Sequence, residues 1–537
     1  MTAADSRRWW ALAALALSVL VVALDLFVLT LALPTVATDL HASAGDLEWF
    51  LDAYSLVVAA ALLPAGLLGD RFGRKRLLLG ALVVFGVASV ACAYSTSAAE
   101  LIAARAVLGL AAAVILPLSL AVLPVLFTED ERPRAIAAVG GATFLGYPIG
   151  PILGGWLLDR FWWGSVFLIN VPVVLIAIAA VTTLMPESRG EHRARIDLTG
   201  IAISGAGLAL LTYGLIKAGD DGWSNPAAIA TMTAGAVVLA VFAGWERRVS
   251  ARSAVTGKLP LVDLGLFGSA GFAWGTALAT LVSFALFGLV FAMPQYFLDV
   301  RGLDSLGAGV RMLPMIGGLA VGLAAGQRLQ TPRKAGGPPP VSPKVVAAAG
   351  FAIMAAALAS GTGTTTASGT GFAAAWFAVT GLGLGLAMPT ALNVALGALS
   401  PARSGSGSAL LTAMRQVGGT VGVAVLGTVL ANVYRSHLHL PAGLGAAADA
   451  IRRGVADGVA VAHKLGSNAL LGAVRGSYVH GLDVMLWICG GIAITSALLA
   501  LAFLPRRPGA GQPDAARLSA GQPDTVRPAA PTTAALE

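Results

Sequence analysis

The chain has 537 residues, of which 57% are hydrophobic and only 12% charged, with a mean hydropathy of +0.81. That composition excludes a string of soluble domains and points to a polytopic membrane protein. The net charge of +8 would suit nucleic acid or acidic lipid, but Lys and Arg fall mainly in alternate loops. The excess is therefore a matter of topology, and no nucleic-acid partner is expected.

The apolar runs show no ten-residue alternation, so they read as helices and not barrel strands; in hydrocarbon every backbone group must be satisfied internally. The fold class is all-α. A span needs about 20 apolar residues. On that criterion the sequence predicts fourteen, at roughly 11-33, 48-68, 77-95, 101-124, 135-158, 164-185, 198-216, 227-245, 269-294, 305-326, 344-361, 371-395, 406-431 and 478-504. The first run is too long for a signal h-region and carries Asp25, so it reads as a mature span. An even count puts both ends on one side. Arg7, Arg8, Arg506 and Arg507 make that side cytoplasmic. Cys92 and Cys489 both fall inside spans, which indicates neither a disulfide framework nor a metal site.

Between the second and third spans lies Gly66-Leu67-Leu68-Gly69-Asp70-Arg71-Phe72-Gly73-Arg74-Lys75-Arg76. Its glycines permit a tight turn and close helix approach, and its basic cluster marks a cytoplasmic loop. An orienting loop needs the charges but not an Asp flanked by glycines at this spacing. The pattern resembles the signature loop of the major facilitator superfamily. The resemblance implies two six-helix halves related by weak pseudo-symmetry. Fourteen spans then leave an inserted pair, the seventh and eighth, bounded by charged linkers. The expected organisation is an N-terminal half at 1-190, the inserted pair and linkers at 191-262, and a C-terminal half at 263-504.

Within the last half, a charged stretch at 432-477 separates the final two spans and reads as a short amphipathic helix or hairpin on the external face. Gly337-Pro338-Pro339-Pro340 breaks a flexible cytoplasmic loop. The tail at 505-537 repeats Ala-Gly-Gln-Pro-Asp and is expected to be disordered.

A carboxylate inside a span is costly and marks a site, which makes Asp25 the leading proton carrier; a purely structural ion pair is the competing reading. Asp25 opens Asp-Leu-Phe-Val-Leu-Thr-Leu-Ala-Leu-Pro, which resembles the first-helix motif of the fourteen-helix drug:proton antiporters, with Phe27 and Thr30 at positions where that family usually has Thr and often has Asn. Asp52, about one turn into the second span, resembles the acidic position of quaternary-ammonium and dye exporters, against a solvated helix-start Asp favoured by the dipole. Arg105, in Arg105-Ala106-Val107-Leu108-Gly109, matches the superfamily's fourth-helix arginine. All three fall in the external half by helical rise and are expected to meet, with Arg105 holding Asp25 ionised until a proton or cation displaces it.

The fifth span carries Gly146, Gly150, Pro151, Gly154 and Gly155. Glycines four apart share one face and admit a close neighbour, and Pro151 bends the span. This resembles the motif of antiporter-type exporters, against ordinary small-residue packing. A similar ridge, Gly318, Gly322 and Gly326, makes the tenth span its expected partner. Asp70 is expected to clamp the positive end of the thirteenth-span dipole near Ser404 to Ser408 in the outward-open state, with Arg71, Gly73 and Arg74 completing the gate. Arg415-Gln416-Val417-Gly418-Gly419 also resembles the fourteen-helix family. The acidic residue that some divalent-cation exporters carry nearby is missing, which favours monovalent cations or a neutral or anionic substrate held by Arg415. Phe27, Tyr54, Tyr147, Trp274, Phe284 and Phe287 are candidate cavity aromatics suited to flat lipophilic cations.

The sequence thus predicts a proton-coupled efflux transporter of the bacterial cytoplasmic membrane, exporting lipophilic, chiefly cationic, compounds by alternating access. It is expected to act as a monomer, to need no cofactor beyond the proton gradient, and to have small molecules, protons and the bilayer as its partners. Gly-x-x-x-x-Gly-Lys-Ser/Thr does not occur, nor does a nucleophile-base or metal-ligand pattern, so neither ATP hydrolysis nor an enzyme is expected. The alternatives are a dedicated self-resistance exporter for one neutral or anionic compound, and a non-transporting receptor or scaffold on the same fold.

Overall fold

A computed structural model describes residues 3–42, 44–128, 131–188, 197–256, 264–331, 340–399, 404–440, 444 and 446–505. The expectations for the tail beyond 505, for most of the first charged linker, for 257–263 of the second and for Gly337-Pro338-Pro339 lie outside the described residues. Among the described residues, fourteen long helices succeed one another: α1 (Ala3–Asp39), α2 (Ala44–Phe72), α3 (Arg74–Ala93), α4 (Ala98–Ala121), α5 (Arg132–Leu158), α6 (Asn170–Leu184), α7 (Leu198–Asp221), α8 (Pro226–Thr256), α9 (Ala270–Gln295), α10 (Ser305–Gln330), α11 (Pro343–Gly361), α12 (Thr370–Gly397), α13 (Ser404–His437) and α14 (Asn468–Phe503). Among the described residues, thirteen spans are long and apolar enough to cross a membrane, that of α6 being counted with the short helix Ser165–Leu168 before it; α5, at 27 residues, packs among them and holds the fifth predicted span. Cys92 and Cys489 are buried free thiols.

Helix pairing repeats between the two halves. The α1–α5, α2–α4, α3–α4, α1–α6 and α3–α6 contacts recur as α9–α13, α10–α12, α11–α12, α9–α14 and α11–α14. The halves meet through α2 on α13 and α5 on α10, which the same symmetry relates. The α7–α8 hairpin stands outside this repeat, with α7 laid against α2 and α13.

Two expectations are corrected. The glycine ridges of α5 and α10 do not face each other, although the helices touch. A Cβ on Gly146 would meet Ala23 and Leu24 of α1, whereas Gly318 and Gly322 lie against the backbone of α12 at Ala378 and Leu382. The α12 glycines reciprocate, Gly381 on Met315 and Gly385 on Leu319. Small residues on both partners let the α10 and α12 backbones close on each other, and that is where the ridge is spent. At α5–α10 the close contact is instead Ile152 on Gly309.

The stretch predicted to be external holds a hairpin of two short helices, Ala446–Arg453 and Val455–Lys464, and α14 begins at Asn468, ten residues before the predicted start. Ser467 caps it, accepting from the Leu470 N–H. The extra turns are held because Leu470 and Val474 bury, while the Tyr434 hydroxyl donates to the Ile451 carbonyl at 2.8 Å and ties the hairpin to α13.

Candidate functional site

The signature loop explains its own residues. Gly73 has φ +107°, a conformation that L side chains rarely adopt, and a Cβ there would lie 2.7 Å from Glu187 Oε1. Glu187 accepts the Lys75 backbone N–H at 3.1 Å and pairs with Arg76 at 3.6 Å. Arg74 is not part of a solvated basic cluster. It is 1% exposed, donating from Nε and Nη2 to Asp70 Oδ1 at 3.0 and 2.7 Å and from Nη1 to the Ala121 carbonyl of α4 at 3.3 Å. Arg71 is half-buried with its guanidinium over the Phe72 ring, and Gly66 is buried.

Asp70 sits at the start of α13, as expected, and accepts the backbone N–H of Ser406. Burial holds its carboxyl above the usual Asp range, with Arg74 pulling it back down. Around it, Ser404 and Ser408 donate to the Ala121 and Pro117 carbonyls of α4. The end of the molecule bearing the basic loop is thus closed by α2, α4 and α13.

Further from that end lies the ion pair. Arg105 Nη1 donates to Asp25 Oδ2 at 2.5 Å, and Nε donates to the Phe50 carbonyl at 2.9 Å. Asp25 Oδ1 accepts from Asn170 Nδ2 at 3.0 Å, and the same amide reaches Ser89 Oγ at 3.2 Å. Asp25 is 2% exposed and Arg105 1%. Asp25 and Arg105 therefore meet, as the sequence predicted; Asp52 is half-buried on α2, two residues before Tyr54. Asn170 and Ser89 went unnoticed in the sequence. A polar residue inside an apolar run was the available signal, weaker than a charge.

Tyr54 closes the cluster. Its ring lies 4.5 Å from the Arg105 guanidinium carbon. Gly109 makes this possible, since a Cβ there would overlap the Tyr54 backbone. Beyond Tyr54 is a cavity between the halves. Val19, Val22 and Ala23 of α1, Val58 of α2 and Leu116 of α4 form its apolar wall on one side; Phe287, Leu392, Thr412, Arg415 and Gln416 face them from α9, α12 and α13. Arg415 Nε donates to Ser283 Oγ at 3.4 Å. Thr412 is eight residues into α13, about 12 Å from its start, which puts the cavity at mid-depth.

Of the predicted cavity residues, Tyr54, Phe287, Arg415 and Gln416 line it. Trp274 does not; it lies one turn into α9 and stacks on Phe503 at 4.2 Å. Phe284, one residue on from Ser283, is rotated away and its backbone lies against Gly422. The side chains of Phe27, Thr30, Tyr147 and Pro151 are outside the described residues. Gly146, Gly150, Gly154 and Gly155 are buried. No group of three or more His, Cys, Asp or Glu able to hold a metal occurs among the described residues.

Two pseudo-symmetric helical halves, a cavity between them at mid-depth and a buried ion pair at its edge define a membrane-transporter architecture. The chain belongs to the Major Facilitator Superfamily, whose family profile matches residues 15–423. It is 35% identical to the multidrug efflux pump LfrA of Mycolicibacterium smegmatis, over 93% of this chain and 96% of the relative. To the tetracenomycin C resistance and export protein of Streptomyces glaucescens it is 31% identical, over 95% and 94%. Among solved structures, the proton:xylose symporter XylE aligns with a TM-score of 0.61 at 14% identity, over 94% of this chain and 97% of that one, a likeness of fold alone.

Proposed function

We propose that this protein is a proton-coupled efflux transporter of a bacterial cytoplasmic membrane, with its basic loop facing the cytoplasm, exporting lipophilic compounds by alternating access. The observation that carries the reading is the single tyrosine separating the cavity from the Asp25–Arg105 pair. Curated relatives described as a multidrug efflux pump and as a resistance and export protein support the direction of transport.

The mechanism follows from the contacts. A buried carboxylate paired with a buried arginine is held by Coulomb attraction that its desolvation largely offsets. A proton arriving at Asp25 removes the attraction and leaves Arg105 held only by α2, through the Phe50 carbonyl and the Tyr54 ring. Tyr54 then shifts with Arg105, and the cavity wall changes shape. The same helix ends in Asp70, which grips the start of α13, so a shift of α2 reaches the closed end. Release of that grip opens the cavity toward the basic face. Substrate and proton compete through Tyr54, which gives exchange.

The test is uptake of a fluorescent lipophilic compound into proteoliposomes under an imposed pH gradient, wild type against Asp25→Asn. Gradient-driven transport in the wild type and its loss in the variant are expected. Gradient-driven transport of equal rate in both would remove Asp25 from the coupling. No proton movement with any of a broad panel of compounds would instead favour a receptor built on this fold.

A further inference from the structure

The charge inventory of the cavity runs against the expectation of cationic substrates. Among the described residues that line it, Arg415 carries the one formal charge. The nearest functional carboxylate, Asp25, is turned away: it lies two residues beyond Ala23 on α1, is 2% exposed, and has both oxygens engaged, one by Arg105 and one by Asn170. Asp52 does not line the cavity either. Of the remaining polar groups on the wall, the Thr143, Ser283 and Thr412 hydroxyls donate to the Val139, Ala279 and Ser408 carbonyls of their own helices, which leaves as donors the Gln416 amide and the Tyr54 hydroxyl, buried with no hydrogen-bond partner among the described residues.

A permanent cation entering this space meets a guanidinium at mid-membrane, where screening is weak and like charges repel strongly. An oxyanion meets the reverse. Planar oxyanions match the guanidinium fork in two parallel hydrogen bonds, and Gln416, one residue on, and Tyr54, across the cavity, supply further donors. The wall around these groups is aliphatic and aromatic, with Phe287 placed to stack on a flat ring. We infer that the cavity selects lipophilic aromatic anions, compounds that carry a carboxylate, sulfonate or phenolate on a flat ring system, and that Arg415 is the residue that sets this preference. The inference rests on the export reading above, because it takes this cavity to be the substrate site.

The experiment is equilibrium binding to the full-length protein in nanodiscs, with empty nanodiscs as the blank. The probes are anthraquinone-2-sulfonate, neutral anthraquinone and ethidium. The expected result is at least tenfold tighter binding of the sulfonate than of ethidium. Arg415→Gln lowers sulfonate affinity tenfold or more and leaves neutral anthraquinone within twofold, while Arg415→Lys keeps part of the preference. Wild type that prefers ethidium overturns the inference, as does sulfonate affinity unchanged in Arg415→Gln. The wild-type preference is decisive even if the variant fails to fold. Binding is read without a gradient, so it is separable from transport: a sulfonate preference in a protein that moves none of the three probes across a vesicle counts against export and leaves the charge preference standing.

Discussion

The Tyr54 ring sits 4.5 Å from the Arg105 guanidinium carbon while the same side chain lines the central cavity, so one residue touches both the ion pair and the space a substrate would occupy. The two parts of Tyr54 can be separated. Tyr54→Phe keeps the ring on Arg105 and removes the hydroxyl; it is expected to weaken substrate binding several-fold and to leave the pH dependence of binding intact. Tyr54→Leu also removes the ring, whose desolvated contact with a guanidinium contributes about 2 kcal/mol. In that variant the pH dependence of binding flattens. Binding titrations at pH 5.5 and 7.5 check both, and equal behaviour of the two variants would refute a role for the ring.

The Asp25–Arg105 pair is expected to show strong non-additivity. Arg105→Ala leaves a buried carboxylate whose remaining described partner is Asn170, and costs about 3–5 kcal/mol. Adding Asp25→Asn removes the uncompensated charge and recovers most of that loss. Thermal unfolding midpoints of the two single variants and the double variant in detergent give the coupling directly. Additive shifts would mean that the pair contributes nothing as a pair.

Gly73 and Gly80 make a controlled comparison at the start of α3. Gly73→Ala is strained by its positive φ and by the approach of Glu187, at about 1–2 kcal/mol for the backbone alone, and a lower midpoint is expected. Gly80 has nothing within 4 Å of a built Cβ and lies inside α3. Gly80→Ala is expected to be neutral or to stabilise by up to about 1 kcal/mol, the helix-propensity difference.

Asp70 lies at the closed end, where it accepts the Ser406 N–H at the start of α13. Its carboxyl is raised by burial, so the folded chain binds this proton more readily than the unfolded chain does. The stability the group contributes is present below the ordinary Asp range and is lost as pH rises through the raised value. Asp70→Asn is expected to reduce the difference in unfolding midpoint between pH 4 and pH 7. It also removes the charge that Arg74 and the α13 dipole hold, so the closed end opens more often. Transport is expected to slow while substrate affinity stays within about twofold, less than 0.5 kcal/mol. A variant with wild-type transport rate would show that the clamp does not limit the cycle.

Much of the fold was legible in the sequence because hydrocarbon is an unforgiving solvent: a span must be long, apolar and helical, and a charge inside one stands out. That is why the helices, Asp25, Arg105 and the glycine-bounded Asp70 could be read directly. Asn170 and Ser89 were invisible because neutral polar residues occur in spans for many reasons, and only the approach of α6 and α3 to α1 makes Asn170 a partner of Asp25 and Ser89 a partner of Asn170. Two glycine ridges of like spacing look equivalent on paper, yet each helix has several faces, and the packing sent that of α10 to α12 and Gly146 of α5 to α1. The early start of α14 likewise depended on Leu470 and Val474 finding cover under the hairpin. Sequence determined which segments enter the bilayer and which residues are costly to keep there; tertiary structure alone decided which residues face one another, because the facing partners lie as much as 145 positions apart for Asp25 and Asn170 and 291 for Ser408 and Pro117 and no local pattern encodes the rotation of one helix against the next.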